Sequence, residues 1–355
     1  MEVKEKIKEL RDKGIPIYSI SRLNTVDNCG WEYWQTYMEH LDQKDNIYSF
    51  TGTKIHKCLE EIQNGKQINF SKEINGMLEE ANMLDIKFPN EKIEDKWKKD
   101  ILQFVDTYTK PKYEKVETEK LFLFQLGDIY LQGIIDLVIY NDDGTISIRD
   151  YKTSSKYSNS ELEEKGRQLI LYGLAMEQMG YKVKDLAWEM LKYVEISYTL
   201  KNGKTRTTIA ERGFIIDKLK SDITKEMKAL KLYDDLTIEE MVDEAIENNS
   251  FDNLPSSIKD KYTIVPYTCF YEFSPDRKIE TQLFIEAKVS QIEQFENDKS
   301  WWEPKEITPY SSFFCQNLCG HRQHCDYLQD YLEMQEMFDE EKAEREAEEE
   351  LAKFI

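Results

Sequence analysis

Hydrophobic residues in this chain recur with two different periods. From residue 115 to residue 152 they come in short runs broken by turn residues, so strands are expected over about 115–126, 129–140 and 145–152. Leu137 to Tyr140 is an apolar strand end, Asn141-Asp142-Asp143-Gly144 makes a turn, and Thr145 to Arg149 runs back toward Asp150. Ahead of that stretch the spacing is helical. Helices are expected over about 2–13, over about 21–39 behind the caps Ser19 and Ser21, and over about 52–63, 71–84 and 92–109. Ile55, Leu59 and Ile62 show the period on one face of the third of these. A further helix over about 160–179 leads into the strand Ala187 to Val194. Strands mixed with helices in this way predict an α/β fold, a mixed sheet flanked by helices.

Past Val194 the pattern weakens. Ser197 to Leu200 and Thr205 to Ile209 flank Lys201-Asn202-Gly203-Lys204, a hairpin with Asn-Gly at its centre, and acidic helical sequence such as Thr237 to Glu244 follows. Ser274 and Pro275 then cap and open a helix that runs to about Asn297. The 355 residues allow about two domains. One body with an insertion is the better reading, because no Gly/Ser- or Pro-rich linker and no internal repeat divides the chain. The expected parts are a core with N-terminal helices (1–195), an insertion (196–275), a C-terminal helix and cysteine loop closing onto the core (276–332), and an acidic helical tail (333–355).

Charge and cysteine usage alter this picture. Forty-eight basic against sixty-nine acidic residues give a net charge of −21. Ten acidic and three basic side chains from Glu333 onward account for −7 of it, leaving −14 for the rest. Affinity for nucleic acid comes largely from phosphate neutralisation, so weak unassisted DNA binding is expected, with Lys152, Lys156, Lys165 and Arg167 as the basic candidates near the site described next. No apolar run approaches a membrane span. The first residues read as a charged helix and not as a signal peptide, so a cytoplasmic, reducing setting is expected. Three of the six cysteines, Cys315, Cys319 and Cys325, crowd one short loop. In a reducing setting that favours a metal site over disulfides.

The chemistry concentrates at Gly133-Ile134-Ile135-Asp136 and Asp150-Tyr151-Lys152. Asp150 and Lys152 are two apart and share a sheet face, and the adjacent strand brings Asp136 beside them. Carboxylates hold a hard cation through oxygen, and an amine beside the water that the cation activates suits phosphodiester hydrolysis. Gln168 and Tyr172 lie one turn apart on the following helix, and His56 edges the apolar face of the Ile55 helix.

In type and order these residues resemble the PD-(D/E)XK nuclease superfamily, and within it the RecB-like branch. The correspondence takes in Gly52 to His56, Gly133 to Asp136, Asp150 to Lys152 and Gln168 to Tyr172, over about residues 18–195, and resumes near the C-terminus. Ile135 stands where many members have Pro. The resemblance implies a restriction-endonuclease-like core in which Asp136, Asp150, His56 and the backbone carbonyl of Tyr151 bind Mg²⁺ or Mn²⁺. The imidazole favours Mn²⁺ more than an all-oxygen site would. Lys152 would orient or deprotonate the attacking water, its pKa lowered by the nearby dication, or stabilise the charged phosphorane; Gln168 and Tyr172 would position the scissile phosphate. Glu119 is a weaker candidate for a further carboxylate, in competition with Glu117 and Asp128.

Some RecB-like nucleases, those of the AddB type and the CRISPR adaptation nucleases among them, hold a [4Fe–4S] cluster through one early and three late cysteines. By that resemblance Cys29, Cys315, Cys319 and Cys325 are the iron–sulfur ligands. The loop reads Cys-x3-Cys-x5-Cys where the family pattern is Cys-x2-Cys-x5-Cys, and His321 and His324 lie inside it, so Zn²⁺ stays open as the alternative. Cys58 and Cys269 read as ordinary small apolar residues. The expectation is a metal-dependent DNA exonuclease leaving 5′-phosphate ends. The resemblance places it in recombination, repair or phage DNA metabolism of a bacterial or phage-infected cell, with a helicase or recombination protein as possible partner. The rival is a catalytically weak nuclease-fold module that binds DNA ends or a protein.

Overall fold

The computed structural model describes residues 2–200 and 203–352, without side chains at position 343 and from 347 onward. The Asn202 centre of the expected hairpin and the final residues of the tail, including Phe354, lie outside the described residues. In chain order the elements begin with α1 (Val3–Asp12), β1 (Ile17–Tyr18), α2 (Ile20–Asn28), α3 (Gly30–Tyr33), α4 (Ile47–Gln63), α5 (Phe70–Met83) and α6 (Glu91–Thr107). Then come β2 (Lys115–Leu126), β3 (Ile129–Tyr140), β4 (Thr145–Lys152), α7 (Asn159–Gln178), β5 (Lys182–Thr199) and β6 (Thr205–Glu211). The chain continues through α8 (Ile215–Leu230), α9 (Asp235–Asn248), α10 (Ser256–Lys259), β7 (Tyr262–Tyr271), α11 (Pro275–Phe295) and α12 (Asp326–Ala352). It divides into two compact units, one of residues 1–17 and 51–282, the other of residues 18–50 and 283–355.

In the first unit β2 and β3 form an antiparallel pair, β3 returns through Asn141–Gly144 to pair antiparallel with β4, and β4 pairs parallel with β5. Gly144 at φ +78° supplies the left-handed residue of the turn. Helix α7 makes the crossover between the two parallel strands, which gives the mixed sheet expected from the sequence. The strand expected from Ala187 begins earlier, at Lys182, because it pairs with β4 along all of Thr145–Lys152. On its other edge β5 receives β7, and beyond Met190 it also pairs with β6. Residues 196–275 thus return a strand to the sheet and also build an apolar core of their own, with Ile216, Leu219, Ile223, Ile238, Val242 and Ile258 buried together.

Helix α7 opens on a reciprocal cap between Ser158 and Glu161 and then buries Leu169 through Met176 without a break. A helix apolar on every side must be covered on every side. Gly166 makes one of those contacts possible: a Cβ there would stand 2.1 Å from the ring of Tyr271. Gly133 on β3 is just as confined, with the Phe122 ring 2.7 Å from where its Cβ would be. That ring meets Tyr172 edge-on, with centroids 5.7 Å apart. Gly133→Ala is therefore expected to cost about 1–3 kcal/mol by overpacking and to displace Tyr172. Urea unfolding would show it, and an unchanged midpoint would refute the contact.

Asp100 on α6 is fully buried; one carboxylate oxygen accepts the Gly213 N–H at 2.9 Å and the other has no partner among the described residues. Burial raises its pKa to about 6, partly opposed by that N–H. A carboxyl with a raised folded-state pKa contributes most below its unfolded value, and that contribution is lost as pH climbs to the folded value. The stability difference between wild type and Asp100→Asn should accordingly shift by up to about 3 kcal/mol between about pH 4 and pH 6. Parallel stability curves across that window would contradict the assignment.

In the second unit the helix expected over 21–39 is interrupted. Cys29 is extended (φ −158°, ψ 110°), ending α2 and starting α3, and α3 passes into a π-helical turn at Trp34–Met38. The cause is a close backbone contact: Trp31 N–H donates to the Glu303 carbonyl at 3.1 Å, and a Cβ on Gly30 would lie 2.9 Å from that oxygen. Helical periodicity carries no signal for such a partner. Tyr33, fully buried, stacks on Trp302 at 4.5 Å between centroids.

Candidate active site

Four elements of the first unit supply the site. The β3–β4 ladder runs to Leu137 opposite Arg149, and one step further the register sets Asp136 opposite Asp150, where the strands part. The Tyr151 N–H donates to Asp136 Oδ2 at 2.8 Å in place of a ladder bond. From α4, His56 Nδ1 stands 3.4 Å from the same Oδ2. Lys152 Nζ lies 2.6 Å from Asp150 Oδ2 and donates to Gln168 Oε1 at 3.2 Å, and Gln168 Nε2 donates to the Tyr172 hydroxyl at 2.8 Å. The six side-chain positions proposed from the sequence for catalysis and Mg²⁺ or Mn²⁺ binding thus fall into two contact sets, His56 with Asp136 and Asp150 with Lys152, Gln168 and Tyr172, on neighbouring elements.

Burial and mutual repulsion dominate the electrostatics. Asp136 is pushed up to about 8, first by burial and then by the charge of Asp150. Two buried carboxylates facing each other favour a cation between them. Burial lowers the pKa of His56, leaving a neutral imidazole able to act as a ligand. Burial also works to lower Lys152, but the charge of Asp150 overrides it and holds the amine above its ordinary value. In the metal-free protein Asp150 thus holds Lys152 toward its ammonium form, and the depression expected of a bound dication is a separate effect.

Glu119 occupies the β2 position in register with Asp136 and has a left-handed backbone (φ +48°), rare for a residue with a side chain. Burial raises its pKa, and its charge contributes to the rise at Asp136. Its competitors are placed otherwise: Glu117 binds Lys120 at 2.6 Å and the Tyr140 hydroxyl at 2.8 Å, and Asp128 sits between β2 and β3. Sequence reasoning missed Tyr157. It lies in the segment between β4 and α7 with its ring against Trp188; burial raises its pKa, and the charges of Lys152 and Asp150 act on it in opposite directions. A residue outside helix and strand has no periodicity to mark it.

A family model described as the PD-(D/E)XK nuclease superfamily matches residues 17–326. The chain belongs to this superfamily. Three curated proteins from Streptococcus agalactiae serotypes Ia, V and III, each named as a subunit of an ATP-dependent helicase/deoxyribonuclease, are 25% identical over 151 residues, 39% of this chain. The match takes in only 14% of the length of those relatives. A solved structure titled "Crystal structure of SSO0001" aligns over 86% of this chain and 94% of its own at 12% identity, with a TM-score of 0.25.

PD-(D/E)XK nucleases typically use divalent metals such as Mg²⁺. The facing carboxylates, neutral imidazole and Tyr151 carbonyl suit a hard cation in donor type. Among the described residues, however, no group of three or more His, Cys, Asp or Glu side chains is arranged as a metal-binding cluster. Each carboxylate is instead drawn to its own partner, Asp136 to His56 and Asp150 to Lys152.

The superfamily match also spans the four cysteines, all in the second unit. Cys29, Cys315, Cys319 and Cys325 line one small cavity of about 20 Å³. Cys29 Sγ accepts the N–H groups of Glu32 at 3.4 Å and Lys305 at 3.3 Å. Burial raises Cys315, Cys319 and Cys325, Cys319 to about 12, and the other cysteines add to each rise. Neither histidine of the loop lines the cavity: His321 is fully buried with Nε2 on the Thr36 hydroxyl at 2.8 Å, and His324 is exposed. Among the described residues no helix is long and apolar enough to cross a membrane.

Proposed function

We propose that this protein is a divalent-metal-dependent deoxyribonuclease, an exonuclease leaving 5′-phosphate ends. The observation that carries this reading is the buried pair Asp136 and Asp150 with Lys152 beside it. Asp136, Asp150, His56 and the Tyr151 carbonyl are the groups that would hold Mg²⁺ or Mn²⁺, with Glu119 as a further carboxylate. The cation would supply an activated water and neutralise phosphate charge. Lys152, an ammonium tied to Gln168, donates to the phosphate oxygens as charge builds on them, and Gln168 with Tyr172 fixes the direction from which it does so. Water would form the new P–O bond as the P–O3′ bond breaks, the 3′-oxygen leaving as a hydroxyl on the upstream fragment and the phosphate staying on the 5′ end of the downstream fragment.

The names of the streptococcal relatives support DNA as substrate and a helicase as partner. A net charge of −21 supports delivery of DNA by such a partner over strong binding by this chain alone. The four cysteines around one cavity, two backbone N–H groups directed at Cys29 Sγ and the placement of both histidines elsewhere favour a [4Fe–4S] cluster over Zn²⁺. The test is incubation of purified protein with Mg²⁺ or Mn²⁺ and end-labelled linear single- and double-stranded DNA, with closed circular DNA alongside. Progressive shortening of linear DNA with the circle intact is expected. Cutting of the circle would make the enzyme an endonuclease. DNA bound but intact with both metals would leave the fold as a binding module.

A further inference from the structure

A cavity of about 420 Å³ is lined by residues of the same sheet, of α6 and of the segment that follows α6, with neither Asp136 nor Asp150 in its wall. Side chains alternate along a strand, so the Tyr151 ring stands on the face of β4 opposite Asp150 and Lys152. It lines this cavity with Tyr108, Tyr113 and Tyr267. Their planar surfaces suit a flat ring.

Two charged residues give the cavity polarity. Arg212 is 7% exposed, and among the described residues its guanidinium meets only neutral acceptors, the Leu191 carbonyl at 2.7 Å through Nε and the Thr107 hydroxyl at 3.5 Å through Nη1. Burial lowers the arginine to about 10, opposed by the charge of Asp100, one oxygen of which accepts the Gly213 N–H while neither is hydrogen-bonded to Arg212 among the described residues. A buried guanidinium hydrogen-bonded to no carboxylate gains from an anion that reaches it directly. Glu189, also lining the cavity, accepts the Thr268 hydroxyl at 2.9 Å and meets Arg149 Nε at 3.3 Å. Its remaining lone pairs can accept from an N–H at the edge of a ring.

We propose that this cavity binds a nucleoside 5′-phosphate, with the base against the tyrosine rings and the phosphate on Arg212. A purely apolar ligand would offer nothing to Arg212, and a neutral sugar would offer neither an anion nor a stacking face. The volume lies within the range of small-molecule pockets. Asp136, Asp150 and Lys152 do not line the cavity, whereas Tyr151 does, with its ring 6.1 Å from that of His56. The nucleotide could be free or the 5′ end of a strand.

Calorimetric titration of the full chain in EDTA with each of the four 2′-deoxynucleoside 5′-monophosphates tests this, beside Tyr113→Ala, Tyr267→Ala and Asp150→Asn. At least one mononucleotide should bind. Each tyrosine substitution should weaken it about tenfold, and Asp150→Asn should leave it unchanged. The matching nucleoside without phosphate should bind about tenfold or more weakly, which reads the Arg212 contact without altering a buried residue. Failure of all four to bind, or affinity insensitive to both tyrosine substitutions, would overturn the proposal. Competition by a 5′-phosphorylated oligonucleotide would assign the site to a strand end; lack of competition would assign it to the free nucleotide.

Discussion

Replacing Lys152 by alanine is expected to lower DNA cleavage by about 10³-fold or more while leaving Mn²⁺ binding intact. Lys152 is the cation that the structure places against Asp150, and Gln168 holds it in position. Alanine removes the ammonium and the donor it offers to the phosphate. It also removes a positive charge that competes with a metal for Asp150, so Mn²⁺ affinity should hold or rise. The two readouts separate a chemical role from a structural one. Weakened Mn²⁺ binding and lost cleavage together would mean that the site had collapsed around a buried, unpaired Asp150, and wild-type cleavage would remove Lys152 from the mechanism. Gln168→Ala should fall between, because it frees the ammonium from its hydrogen bond without deleting it.

Much of this site is legible in the sequence because it is written on regular elements. The two-residue spacing of Asp150 and Lys152 fixes a common face on any strand, and the Asn141–Gly144 turn fixes the register that brings Asp136 opposite Asp150. The four-residue spacing of Gln168 and Tyr172 does the same on α7, where the two side chains bond directly. What escapes the sequence is set by contacts between distant segments. The break at Cys29 depends on Glu303, and β7 enters the sheet through pairing with β5 after more than sixty intervening residues. The protonation of Lys152 likewise reflects the balance of burial against one neighbouring carboxylate, and no spacing rule contains that balance.

Glu119 shows the limit in another way. Three carboxylates on or beside β2 look equivalent as letters, and strand alternation even puts Glu117 and Glu119 on one face. The structure separates them by partners: Glu117 is paired with Lys120 and Tyr140, while Glu119 takes a strained left-handed backbone in register with Asp136. Strain of this kind persists where the surroundings enforce it, and it gathers at functional sites.

The cysteine site should dominate the stability of the second unit. Cys29 lies at the junction of α2 and α3, Cys315 to Cys325 lie some three hundred residues later, and all four border one cavity. The thiols of Cys315, Cys319 and Cys325, raised by burial and by neighbouring cysteines, are poor thiolates without a metal. Binding must offset their deprotonation, and a metal held only by the folded unit stabilises that fold. Cys29→Ala is therefore expected to lower Tm by about 10 °C or more and to deplete bound metal. Anaerobically purified wild type should show a broad band near ~400 nm that Cys325→Ala removes, whereas Cys58→Ala, at a buried position in the first unit, should retain it. Stoichiometric zinc with no such band would replace the cluster by Zn²⁺. A Cys29→Ala protein that is soluble, metallated and thermally unchanged would show that Cys29 is not a ligand, and the contact between Trp31 and Glu303 would then account for the helix break on its own.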